Sequence, residues 1–551
     1  MTRDKGGADT KKRPAMPFDP FAMAKTATDF AWGLAAKPAE LLEVQMQAAR
    51  QWGDFWTGAL SGKAAEAPRD RRFAAPEYQD DPYYRGLRDS YLLASQQLRD
   101  FVGRGGGEDS GKAMARFLLD QYLNAVSPTN FALTNPAVVK RIHDTKGQNL
   151  VQGFANLLED ISSGKGIVRR RTDDSAYVKG VNIAATSGEV VFENALFQLI
   201  QYLPTTAMVA AEPLLYVPPL VNRYYMIDLQ PRSSLVKWLV DEGRSVFVIS
   251  WVNPGDEQRD KDVAAYVTEG IVTAIEQVAK RTGRAPDLFS FCLGGTLAAI
   301  ALAWLAAEGR AEEVNSATLI GSMIDFADMR DWSAFVHEGH LGALEDHLEA
   351  QGFIDSLELQ RLFAAMRAND LIWSSVVQHY LLDQPAPPSD LLTWFEDGAR
   401  IPAAFLKSYN RDLLLNNSLR ESAGFKVGGV AIDLAAIVTP MLSIALKDDH
   451  VSAWTAVYDG ARLLGADFVL GGSGHNAGVI NPPAAKKHGF WTNDEQPKDA
   501  EQWLETATRH EGSWWPWWTA WLAAHGSGKT VKARAIKDGI EPAPGRYAMM
   551  P

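Results

Sequence analysis

The chain reads as an α/β protein in which a mostly helical first segment precedes a parallel sheet, and three features predict this. From residue 213 onward, short apolar runs alternate with amphipathic stretches, the pattern of strand–helix–strand units. The strand-like runs are apolar at consecutive positions, as parallel strands covered on both faces are. One of them, "DLFSF", leads through Cys292 directly into "GGTLAAIALAWLAAEGR", so that a strand, a reactive side chain and a helix follow without a gap.

The polar start, "MTRDKGGADTKKRPAMPFDP", holds no apolar run of the kind that directs secretion, so a cytoplasmic protein with a disordered leader is expected. From about 18 to 165 the pattern is helical. In "YYRGLRDSYLLASQQLRDFV", Tyr84, Leu87, Tyr91, Leu98 and Phe101 mostly follow three-, four- and seven-residue spacing, one helix face. "GRGGGEDSG" interrupts it, and helical signals end at "NLLEDISSGKG". A boundary near 175 therefore divides a helical domain, 1–175, from a second domain, 176–551. "VNIAAT" and "EVVFEN" flank Ser187-Gly188, where a hairpin turn is expected.

Then come the strand "PLLYV", the helix "SSLVKWLVDEG" and the strand "SVFVISW". The helix "DVAAYVTEGIVTAIEQVAKRTG" follows, with Val263, Val267, Ile271, Ala274 and Val278 on one face. "SATLIGS", "PMLSIAL" and "DFVLGG" supply later strands. Between about 324 and 439 the alternation stops, and an insertion of that length between two strands reads as a cap or lid.

Composition narrows the function. Hydrophobic residues make up 46% and charged residues 22% of the 551, as in a soluble globular protein. A net charge of −12 argues against general nucleic-acid binding while leaving room for a local basic pocket. A single cysteine excludes an intrachain disulfide and a cysteine-rich zinc site. No apolar run approaches the roughly 20 residues of a membrane helix.

Cys292 stands where a tight strand–helix turn presents a nucleophile. Gly294 and Gly295 allow the turn, and unpaired N–H groups at a helix start favour thiolate. The N–H of Leu293 is the first donor for an oxyanion, with Val221, in the loop after "PLLYV", as the second. A buried structural cysteine is the plainer alternative. A base and an acid are expected later in the chain, and both occur at strand ends. "PMLSIALKDDH" ends on Asp448, Asp449 and His450, and "DFVLGGSGHNAG" carries His475 in a loop too polar for core packing. The residues offer Cys292 as nucleophile, an acid among Asp448 and Asp449, and His475 as base; taken with the resemblance given below, the predicted triad is Cys292, Asp449 and His475. Ser290 lies two residues early, on the strand, and is not placed to be the nucleophile.

Other motifs carry less. "GSGKT" (526–530) lacks the first glycine of a phosphate loop and any preceding strand. "HEGH" (337–340) spaces its histidines by three, so a solvated surface, with no metal, is expected there. "SWWPWWTAW" is expected in the core rather than in a lipid surface. "AELLEVQMQAARQWGDFWTGAL" is amphipathic, fit for a partner, a hydrophobic surface or the rest of the chain.

A series of strings in one order shows a resemblance. "SPTNF", "LFQLIQYLPTT", "PPLVNRYYMIDLQPRSSLVKWLVDEG", "SFCLGGT", "NDLIWSSVV", "DDHVSAWTAVY", "GSGHNAGVINPP" and "HEGSWWPWWTAWL" together resemble the class I polyhydroxyalkanoate synthases over nearly the whole chain. That resemblance implies an α/β-hydrolase fold with a cap, after a helical N-terminal domain. It implies transfer of (R)-3-hydroxyacyl groups, short ones such as 3-hydroxybutyryl, from coenzyme A to a growing polyester. Cys292 would carry the acyl group, His475 act as base and Asp449 as acid, with either Asp449 or His475 activating the incoming hydroxyl. Asn222, Tyr225, Asp228 and His450 match positions near the site. The resemblance further implies no cofactor, coenzyme A being a leaving group, and a homodimer at the surface of polyester granules. Two positions depart from the family: Ser290 replaces a glycine two residues before the nucleophile, and Leu220 replaces a tryptophan, which is expected to reshape the pocket wall. A cysteine thioesterase or esterase, and a non-catalytic granule-surface protein, are the competing readings.

Overall fold

The computed structural model describes residues 38–60, 70–104, 109–162 and 172–550. The expected disordered leader lies outside them.

Eleven strands form one sheet: β1 Gly188–Glu193, β2 Phe197–Tyr202, β3 Leu214–Val217, β4 Val246–Trp251, β5 Asp287–Phe291, β6 Ser316–Ile320, β7 Met441–Leu446, β8 Asp467–Gly471, β9 Phe490–Thr492, β10 Thr508–His510 and β11 Glu541–Pro542. The order is β10-β9-β8-β7-β6-β5-β3-β4-β2-β1-β11. From β4 to β8 neighbours are parallel, whereas the outer strands on both sides pair antiparallel. Every residue of β3 to β7 is buried, which is why these runs are apolar throughout. The series β1-β2-β4-β3-β5-β6-β7-β8 is the strand order of the α/β-hydrolase fold.

The turn expected at Ser187-Gly188 is absent. β1 and β2 form the hairpin, joined through Asn194, whose side chain accepts from the N–H groups of Leu196 and Phe197. An asparagine side chain imitating a backbone turn outweighed the Ser-Gly signal, and "VNIAAT" supplies only an isolated bridge at Ile183. Residues 263–282 are helical as expected, with π-helical geometry over Tyr266–Val272. Val263, Val267, Ile271, Ala274 and Val278 are all fully buried.

Among the described residues five longer helices precede the sheet, α1 Pro38–Leu60, α2 Pro82–Gly103, α3 Asp109–Ala125, α4 Pro136–Thr145 and α5 Gln148–Ser162, with a single helical turn at Glu77–Asp80. In α2 the buried seam is Arg88, Ser95 and Val102 rather than the expected apolar face of Tyr84, Leu87, Tyr91, Leu98 and Phe101, and Leu98 is exposed. Arg88 is held there by Asp89 and Gln79, so a paired charge takes a place the apolar pattern would not assign it. These helices rest on the segment between β6 and β7. Phe117 meets Phe335 edge-on at 5.0 Å, Gln121 donates to the Ala365 carbonyl, Asn149 to that of Leu381, and the Tyr380 hydroxyl donates to Asp160. That inserted segment includes helices Glu338–Gln351 and Ser356–Met366 and lies over the C-terminal ends of the parallel strands, where Cys292 is. Among the described residues no helix is long and apolar enough to cross a membrane.

The tryptophan cluster belongs to the core. On the helix Trp515–His525, and at its cap, Trp514, Trp515 and Trp518 are fully buried. Trp514 Nε1 donates to the Gly478 carbonyl at 2.9 Å and Trp515 Nε1 to that of Val479 at 3.0 Å. Both acceptors follow His475 by three and four residues, so the cluster pins the loop that carries it. Replacing Trp514 by phenylalanine is expected to cost about 1–3 kcal/mol, since the Gly478 carbonyl stays buried without its donor. Denaturant unfolding measures that loss.

Candidate active site

Cys292 follows β5 and caps the helix Leu293–Ala307. Its backbone is at φ 52°, ψ −128°, a conformation a non-glycine residue holds only when its surroundings force it. The glycines behind it are what permit this. A Cβ on Gly294 would lie 2.3 Å from the Val217 carbonyl oxygen, and one on Gly295 would lie 2.0 Å from Ser322 Oγ. The helix therefore approaches β3 and β6 more closely than any side chain would allow. Ser290 fits without loosening this contact: it is fully buried and donates to the Thr318 carbonyl of the adjoining strand at 3.1 Å. Leu220 packs in the main core and lines neither cavity at Cys292.

Asp449 follows β7 and His475 follows β8. Asp449 Oδ2 lies 2.6 Å from His475 Nδ1, and Oδ1 accepts from the N–H groups of Val451 and Ser452 at 2.7 and 2.9 Å. The carboxylate is thus committed on both oxygens, and its side chain is 0% exposed. Burial alone would push the His475 imidazole down. The Asp449 carboxylate first, and then Cys292, by charge and hydrogen bonding, raise it to about 10. Cys292, His475 and Asp449 therefore come together from three strand ends and form a chain of interacting groups. The Leu293 N–H lies in the first helical turn, where amides have no intrahelical acceptor. Val221 lines the cavities with Cys292, its carbonyl accepting from Ala399.

Two cavities meet at Cys292. One, about 170 Å3, is almost wholly apolar and includes Met323, Phe326, Trp332, Leu359 and Phe405. His340 also lines it, so that part of "HEGH" is not the solvated surface expected. The second, about 620 Å3, carries Arg71, Asn222, Arg367, Asp448, His450, His475 and His488. Asn222 and His450 are thus brought to the site. Asn222 Nδ2 donates to the carbonyls of Trp394 and Phe395, fastening the 219–223 loop to the insertion. His450 is pushed down to about 4 by burial, with the Arg367 and His475 charges adding to the effect, so its neutral ring accepts from Arg367.

Tyr225 and Asp228 are not brought there. The Tyr225 hydroxyl donates to Asp397, and Asp228 accepts from Thr186 and Ser234, fully buried behind the loop. Their short-range spacing to Asn222 gave no means of telling a cavity residue from one that holds the loop in place. Sequence reasoning missed Arg71, Arg367 and His488 because they come from segments far apart in the chain. Among the described residues no group of three or more His, Cys, Asp and Glu side chains is arranged to hold a metal.

Fold and site define an α/β-hydrolase-fold protein with a cysteine at the tight turn between β5 and the helix that follows it. Residues 69–239 match the family described as poly-beta-hydroxybutyrate polymerase (PhaC) N-terminus. A poly(3-hydroxyalkanoate) polymerase of Methylorubrum extorquens is 38% identical over 546 residues, covering 96% of this chain and 90% of that protein. The poly(3-hydroxyalkanoate) polymerase subunit PhaC of Cupriavidus necator is 39% identical over 529 residues, covering 94% and 89%. A monoacylglycerol lipase structure from Paleococcus ferrophilus is 14% identical, covering 60% of this chain and 99% of that one, with a TM-score of 0.33. The chain belongs to the poly(3-hydroxyalkanoate) polymerase family.

Proposed function

We propose that the chain polymerises (R)-3-hydroxyacyl-coenzyme A, short-chain units such as 3-hydroxybutyryl among them, through an acyl thioester on Cys292. The observation that carries this reading is the contiguous Cys292, His475 and Asp449 arrangement at the junction of an apolar and a polar cavity. The thiolate attacks the thioester carbonyl, the Leu293 and Val221 N–H groups receive the oxyanion, and coenzyme A leaves with the proton held by His475. Exchange of one thioester for another keeps the acyl group activated. The 3-hydroxyl of the next unit then gives its proton to His475 and attacks the acyl-cysteine. His475, not Asp449, is the base for this step, because His475 lines the polar cavity and Asp449, occupied on both oxygens, lines neither. The apolar cavity suits the acyl side chain or the growing ester, and the insertion over it excludes the water that would hydrolyse the intermediate. Incubation with 3-hydroxybutyryl-coenzyme A, following both coenzyme A release and product, tests the reading. Insoluble polyester is expected, and free 3-hydroxybutyrate as the sole product would instead make the chain a thioesterase.

The helical region is proposed to attach the enzyme to the polyester granule. On α5, Val151, Phe154, Leu158 and Ile161 are 64%, 60%, 52% and 54% exposed at spacings of three, four and three, an apolar stripe opposite buried Asn149, Gly153 and Asp160. Replacing Phe154 and Ile161 together by aspartate is expected to shift the protein from sedimenting granules to the supernatant, with coenzyme A release unchanged. Undiminished co-sedimentation would remove this helix from the attachment surface.

A further inference from the structure

Among the described residues, the polar cavity at Cys292 has one wall residue from outside the α/β-hydrolase domain. Arg71 comes from the helical region, ahead of α2, and lines the cavity together with Cys292 and His475. Its position is held from both sides. Phe73, two residues on, is 1% exposed and packs edge-on against Tyr78 at 4.9 Å, and the Tyr78 hydroxyl donates to the Thr134 carbonyl. The neighbouring carboxylate, Asp70, is already taken: Arg72 Nη2 and Nε bind it at 2.7 and 3.1 Å, while Arg72 Nη1 donates to Tyr91. Arg71 itself makes no side-chain hydrogen bond or ion pair with any described residue.

The other charged groups along this wall are differently placed. Arg367 is committed to Asp370 and His450, and His450 is neutral. Asp448 is the one acidic residue lining the cavity among those described. In a chain of net charge −12, a guanidinium without a partner among the described residues, in the wall of a cavity that also holds Cys292, is a place for an anionic ligand. The substrate proposed above is such a ligand, since the coenzyme A portion carries phosphates and the acyl portion does not.

We propose that Arg71 binds a phosphate of the coenzyme A portion, so that the helical region completes the acyl-coenzyme A site as well as facing the granule. This rests on the acyltransferase reading of Cys292. The region before residue 175 would then take a direct part in substrate recognition.

The test compares two thioesters on the full chain: (R)-3-hydroxybutyryl-coenzyme A and (R)-3-hydroxybutyryl-N-acetylcysteamine, which has the same reacting bond and no phosphate. In Arg71→Ala, KM for the coenzyme A thioester is expected to rise about tenfold, as for loss of one charge-assisted contact, with kcat within about twofold. KM for the cysteamine thioester should not move, and Arg71→Lys should recover part of the loss. Arg71 is exposed, so neither variant threatens folding. A rise in KM for both thioesters alike, or for neither, overturns the proposal. Thiol release reports KM whether the product is polyester or free acid, so failure of the polymerase reading is seen separately in the wild-type product.

Discussion

Cys292→Ser is expected to reduce coenzyme A release from 3-hydroxybutyryl-coenzyme A by about 10³-fold or more while leaving the fold intact. Serine differs from cysteine by one atom and meets the same backbone demand at φ 52°, which Gly294 and Gly295 already accommodate. What changes is the proton. A thiol and the His475 imidazole exchange it readily, and that ring, raised to about 10, can hold it while a thiolate attacks. A hydroxyl is a far weaker acid, and the same histidine leaves it protonated. Initial rates of thiol release, with circular dichroism on the same sample, provide the measurement. Release above about a tenth of wild type would mean that another group attacks the thioester.

His475→Gln is expected to block loading of Cys292 by a comparable factor, about 10³-fold, because glutamine offers the size of the ring without a site for the proton. Asp449→Asn should slow loading and elongation together, by about 10² to 10⁴. The reason is geometric. Asp449 reaches the reaction only through His475 Nδ1, at 2.6 Å, and its second oxygen is held by two backbone N–H groups. An asparagine there leaves the ring in the wrong tautomer for both steps. A single-turnover experiment with radiolabelled substrate and acid quench separates them. A variant that loads at the wild-type rate and then fails to extend would return activation of the incoming hydroxyl to Asp449.

The parts of this site that were legible in the sequence are those set by short-range order. A strand, a cysteine and two glycines before a helix can fold in few ways, and the acid and the histidine each stand directly after a strand. Ser290 was a legible departure whose effect was not legible, because the space for its hydroxyl is made by the Thr318 carbonyl of a different strand. Asn222, Tyr225 and Asp228 show the same limit within one loop. Seven residues carry all three, yet only Asn222 reaches the cavity, since the partners that turn the others away, Asp397 for Tyr225 and Thr186 and Ser234 for Asp228, include groups distant in the chain.

By itself the sequence determined the α/β class, the strand runs of the parallel sheet, the insertion after "SATLIGS" and the placing of Cys292, the Asp448-Asp449-His450 run and His475 at strand ends. Each of these follows from periodicity or from residue types within a few positions of one another. Only the tertiary structure decided that the tryptophans of "SWWPWW" hold the His475 loop, that the insertion makes an apolar cavity on one side of Cys292, and that Arg71 stands in the wall of the other. Those relations join residues hundreds of positions apart through burial and hydrogen bonding, and no local pattern encodes which distant carbonyl an indole N–H meets, or which cavity a guanidinium lines.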